Sequence, residues 1–184
     1  MSLYSIALFL HIVGALLLFA TLAVEGVALR LFHRAAATEA ARSAAALLRI
    51  NRTVGPLAAL AILIPGMYMT ATTWGGAAWI MVSLVALVVI AVLGAVNGIR
   101  ILALERTGAL LAGMRNPLFA ISWLTRVGIA LSVVFLMSVK PGALGAVLAI
   151  ALGAGVGAGL GVALSKTIRG SGIDGSREHE IRVA

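Results

Sequence analysis

A hydrocarbon core about 30 Å thick is crossed by about 20 apolar residues in a helix. Five stretches of this chain meet that length, at roughly 3–31, 53–74, 77–101, 117–139 and 142–165. In lipid every backbone N–H and C=O must be satisfied within the protein, which leaves helices or a closed barrel. The stretches lack the period-two alternation of barrel strands, and apolar residues circle them without an amphipathic stripe. The expected fold is therefore all-α, a transmembrane bundle of five spans. Only 11% of the residues are charged and 62% are hydrophobic, against about a quarter charged in a soluble domain, which excludes an ordinary soluble enzyme. The absence of cysteine excludes disulfides, thiolate metal sites and cysteine nucleophiles.

The first span has no basic residue ahead of its apolar run and no polar cleavage region after it, and it is too long for a signal peptide's apolar segment. It reads as a retained helix. Pro56 is expected near the start of the second span, and Asn116-Pro117 reads as an N-cap followed by a first helical residue. Trp74-Gly75-Gly76 and Pro141-Gly142 leave room only for tight turns, so spans two and three, and spans four and five, are expected to be antiparallel neighbours.

Orientation follows from the basic residues, which cytoplasmic loops retain. Of the fourteen Lys and Arg, twelve fall on one side: Arg30, Arg34, Arg42, Arg49 and Arg52, then Arg100, Arg106 and Arg115, then Lys166, Arg169, Arg177 and Arg182. The other side holds Lys140, and Arg126 lies inside the fourth span. The N-terminus is thus expected outside and the C-terminus in the cytoplasm, with Tyr4, Trp74 and Trp79 as the outer aromatic belt. The net charge of +8 is explained by this topology rather than by nucleic acid, and the loop arginines face lipid headgroups. Residues 1–169 form one membrane domain, with a short cytoplasmic helix at about 35–50, in which Glu39 is placed to pair with Arg42. A solvated, flexible tail is expected at 170–184.

Ionisable side chains inside a membrane mark function or a buried partner. Arg126 lies nine residues into its span, about 14 Å deep at 1.5 Å per residue, and Glu25 in the first span falls at a similar depth. Asn97 shares that inner half, and Ser122 precedes Arg126 by one helical turn. A polar cluster of Glu25, Asn97, Ser122 and Arg126 is expected. It reads either as a site for a small ligand or ion or as a structural pair that fixes packing. His11, with Met67, Met69, Met81 and Met137 at comparable outer depth, makes a soft donor set suited to copper, with His11, Met67 and Met69 as the candidate ligands. The competing readings of His11 are a haem ligand or a structural hydrogen bond. The first choice is no cofactor. Pro65 interrupts the second span and frees the Ala61 carbonyl, so a kink is expected.

Gly153, Gly157 and Gly161 repeat every fourth residue, with a second row at Gly155 and Gly159. Such rows allow close helix contact, either with the fourth span or with another copy in a homo-oligomer. No paired carboxylates, Ser-His-Asp set or His-Glu-x-x-His motif is present, so no enzyme is expected.

Leu10-His11-Ile12-Val13-Gly14, the basic run from Arg30 to Arg34, Arg49-x-x-Arg52 leading to Gly55-Pro56, and Pro65-Gly66 resemble one family. This is a bacterial group of small polytopic membrane proteins, more distantly similar to CopD-type copper proteins and to the membrane domains of HemJ-type protoporphyrinogen oxidases. The likeness covers roughly residues 3–140. It implies an inner-membrane, multi-pass location and links the first-helix histidine, matched by His11, to haem or metal. The chain departs from the HemJ type in lacking an aromatic-rich first helix. The expected function is binding or transport of a small ligand or ion through the polar cluster. The alternatives are a haem or copper protein and a structural subunit of a membrane complex.

Overall fold

The computed structural model describes residues 2–34 and 38–183, with side chains described over 2–33 and 42–166. Among the described residues every regular element is helical: α1 (Leu3–Arg34), α2 (Thr38–Met69), α3 (Ala78–Arg106), the single-turn α4 (Leu110–Gly113), α5 (Pro117–Val139) and α6 (Ala143–Val183). A π-helical turn, Thr70–Trp74, ends α2. Five of these helices are long and apolar enough to cross a membrane. Large aliphatic side chains cover their outer surface, Leu144 at 75% and Ile99 and Leu152 at 69% exposure. Water could not solvate such a surface without cost, at about 25 cal/mol per Å² of apolar area. The chain is a multi-pass membrane protein.

Two boundaries differ from expectation. The short helix at about 35–50 is not a separate element, because α2 runs unbroken from Thr38 into the membrane span. Pro56 accordingly lies in the interior of α2 rather than near its start, where it removes the N–H that would answer the Arg52 carbonyl. Pro65 is likewise inside the helix. The expected tail at 170–184 and the pairing of Glu39 fall outside the residues whose side chains are described.

The turns behave as their residues dictate. Asn116 caps α5, its Oδ1 accepting from the Leu118 N–H at 3.0 Å, with Pro117 first in the helix. Gly75 closes the π-turn at φ +61°, a conformation that favours glycine, and Lys140 ends α5 in the left-handed region ahead of Pro141. The Trp end of the bundle is tied by side chains from four segments. Trp74 donates to Tyr4 Oη at 3.3 Å and meets Trp79 edge to face at 5.8 Å, and the Lys140 ammonium lies 4.0 Å above the Trp74 ring.

Packing follows the small residues. A Cβ on Gly14 would fall 2.7 Å from the Ala61 backbone, so α1 and α2 cross in direct contact there. A Cβ on Gly128 would meet the Gly153 carbonyl at 2.0 Å, one on Gly157 the Leu124 carbonyl at 2.3 Å, and one on Gly161 the Ile121 Cα at 2.6 Å. Ser132 adds a hydrogen bond to the Ala149 carbonyl at 2.8 Å. The row Gly153, Gly157 and Gly161, which suited either the fourth span or a second copy, is therefore taken up by α5 within the chain. Among the glycines of α6 whose surroundings are described, Gly155 and Gly159 are left open.

Spans two and three are joined by the expected tight turn, but they are not packed neighbours along their length. The main helix contacts are α1 with α2 and α5 with α6, with α3 docked chiefly on α5. The reason lies in the residues available. Gly14 seats α1 on α2 and Gly128, Gly153, Gly157 and Gly161 seat α6 on α5, whereas α2 and α3 stand apart over a cavity that both line.

Candidate functional site: a polar layer opening into a groove between α2 and α3

Glu25 lies nine residues before the end of α1 and Arg126 nine residues after the start of α5. These helix ends share the arginine-rich side of the bundle, so equal counts put both Cα atoms at about the same height, roughly 14 Å in. The Arg126 Nη2 donates to Glu25 Oε1 in the one salt bridge among the described residues. Both side chains are buried, Arg126 at 5% and Glu25 at 6% exposure. One turn away, Asn97 Nδ2 of α3 donates to Ser122 Oγ of α5 at 3.1 Å. The four residues expected to cluster do so, as two hydrogen-bonded pairs that join three helices.

This polar layer is held between two apolar clusters. Toward the arginine-rich end lie Ala28, Leu29, Phe32, Ala44, Leu48, Met114 and Phe119. Toward the Trp end lie Leu22, Ala86, Ile90, Ile129 and Ala130. Trp123 fixes the register of α5 on α1: its indole N–H donates to the Leu22 carbonyl at 2.7 Å, and its ring covers Gly26, where a Cβ would fall 2.2 Å from Cζ2. Neither Trp123 nor Gly26 stands out from composition or span length. The available signal was a glycine directly beside an intramembrane carboxylate.

The guanidinium is incompletely satisfied. Its Nε is buried and makes no hydrogen bond among the described residues, although burial of an unpaired donor on a charged group is costly. Nη1 lies 3.3 Å from the point that a Cβ on Gly94 would occupy, so the glycine leaves space beside it. Arg126, Glu25, Asn97 and Thr21 line a cavity of about 740 Å³ enclosed by α1, α2, α3 and α5. Its lining is graded along the bundle axis. Toward the Trp end it is leucine and valine, including Leu18, Leu63, Leu84, Leu87 and Val88. Toward the other end it carries Asn51, Arg49, Arg52 and Glu105. Some wall residues are also open to the outside, Leu60 at 49%, Val88 at 55% and Ile99 at 69% exposure, so the cavity opens sideways as a groove between α2 and α3.

The candidate soft-metal residues have other surroundings. His11 Nδ1 is 2.9 Å from the Ile62 carbonyl, which can only accept, so that nitrogen carries the proton and donates. The ring also fills the space beside Gly66, 3.1 Å from the Cβ position there. Met67 and Met69, two residues apart on a helix, point to opposite sides; the first is 56% exposed and the second buried. No group of three or more His, Asp or Glu that could hold a metal occurs among the described residues.

Comparison with protein-family models, with curated proteins and with solved structures finds no match. The site is therefore read from its own geometry.

Proposed function

We propose that this chain is a non-enzymatic protein of the bacterial inner membrane, with its N-terminus outside and its C-terminus in the cytoplasm. It binds a small anionic ligand, and passes it across or within the membrane, through the cluster of Glu25, Asn97, Ser122 and Arg126. The observation that carries this reading is the buried Arg126, whose Nε has no partner and whose side chain borders a cavity of about 740 Å³. That volume lies in the range of about 300–1,000 Å³ typical of ligand sites. A pair that served packing alone would gain by closing that space and satisfying every donor. Orientation rests on the twelve basic residues at one end of the bundle.

In this mechanism Glu25 is the resident counterion that an incoming anion displaces or joins. The full-length protein in nanodiscs tests it by thermal stability during titration with acetate, butyrate and inorganic phosphate. Glu25→Gln keeps an acceptor for Arg126 but removes the competing charge, so a carboxylate or phosphate should stabilise this variant more than the parent, as selective binding to the folded state requires. If none of the three anions stabilises either protein, the ligand reading fails and the pair is structural.

A further inference from the structure

The groove has a direction, and resting on the small-anion reading above, we infer that it takes a single-chain amphiphile with one acidic headgroup, entering sideways from the leaflet at the arginine-rich end. Three arginines and two glutamates line the cavity, Arg49, Arg52, Arg126, Glu25 and Glu105, which leaves one positive charge in excess and matches one negative charge on a ligand. All five lie in the half toward the arginine-rich end. From Asn97 the apolar wall of α3 continues to Leu84, thirteen residues nearer the Trp turn, or about 20 Å of helix.

The gradient has the same sense as a lipid in that leaflet, with the charged end nearer the basic surface and the apolar end toward the Trp turn. An amphiphile can therefore slide in between α2 and α3 without turning over. The exposed wall residues Leu60 and Val88 face its path. The cavity volume of about 740 Å³ falls in the range of about 300–1,000 Å³ that takes one small ligand, which favours one chain over two. The acidic headgroup lies among Arg126, Asn97 and Arg52, which line this part of the cavity, and the Arg52 stem rests near Gly98 of α3, 3.9 Å from the Cβ position there.

The test uses full-length protein in nanodiscs of zwitterionic lipid and radiolabelled palmitate as probe. Hexadecanol serves as the uncharged analogue, butyrate as the chainless one and a diacyl phosphatidate as the two-chain one. Palmitate should saturate at one per chain and bind about tenfold or more tighter than hexadecanol. Val88→Trp, at a groove-wall position that is 55% exposed, narrows the apolar half and should weaken palmitate about tenfold more than butyrate. Arg52→Gln should weaken palmitate about fivefold. Equal binding of hexadecanol, preference for the phosphatidate, or indifference to Val88→Trp overturns the amphiphile assignment. If palmitate fails while butyrate binding still strengthens in Glu25→Gln, only this assignment falls; if acetate, butyrate and inorganic phosphate all fail as well, the small-anion reading falls with it.

Discussion

Removing one member of the Glu25–Arg126 pair should cost far more than removing both. In Glu25→Ala the guanidinium stays buried at 5% exposure. Among the described residues its Nε already lacks a partner, and its hydrogen bond to Glu25 is lost. Breaking a buried ion pair in this way costs about 3–5 kcal/mol, whereas replacing both charges with apolar groups of similar volume is near neutral or stabilising. Here the lower end, about 3 kcal/mol, is expected, because Arg126 borders a cavity into which the freed guanidinium can turn. Arg126→Met leaves the carboxylate stranded between the two apolar clusters and should cost a similar amount. Glu25→Leu with Arg126→Met restores a continuous apolar layer from Leu22 and Ile129 to Leu29 and Phe119 and should lie within about 1 kcal/mol of the parent. The measurement is a double-mutant cycle on reversible unfolding in bicelles. If the two single effects simply add, with a coupling below about 0.5 kcal/mol, the two groups do not answer each other in the membrane and the account of the polar layer is wrong.

Three further outcomes follow from the close contacts. Gly26→Ala forces its methyl against Trp123 and should cost about 1–3 kcal/mol, most of it recovered when Trp123→Leu is added, as unfolding of the single and double variants will show. Gly153→Leu should prevent stable assembly, since its Cβ would fall 2.0 Å from Ser132 Oγ, while Gly155→Leu, with open space beside it, should be tolerated; monodispersity after extraction separates the two, and equal tolerance would refute the α5–α6 contact. His11→Phe loses the bond to the Ile62 carbonyl and should cost about 0.6 kcal/mol, at most about 1.7, so a collapse of the fold on this substitution would show that His11 does more than donate one hydrogen bond.

Much of the fold was legible because lipid imposes simple rules. A span needs length and apolarity, and both are local properties, so the spans emerge from the one-dimensional pattern. Depth is also local. Counting residues from each helix end puts Glu25, Asn97, Ser122 and Arg126 in one layer. The aromatic cluster of Tyr4, Trp74 and Trp79 followed from the same count. Spacing was equally informative for the row Gly153, Gly157 and Gly161, although it could not say which helix fills the gap.

What the linear order left open is how the helices pack laterally. Spans two and three are joined by a tight turn, yet α2 sits on α1 and α3 on α5, because a turn ties only the ends of two helices while glycines and side-chain shape select the faces that close. The number of spans and the depth of the polar layer were thus determined by the amino-acid order, through the requirement that every buried backbone group be paired inside apolar segments. The hydrogen bond of Asn97 to Ser122, the seat of Trp123 on Gly26 and the groove between α2 and α3 were decided by tertiary packing alone, because each depends on how helices far apart in the chain rotate against one another, which no local pattern records.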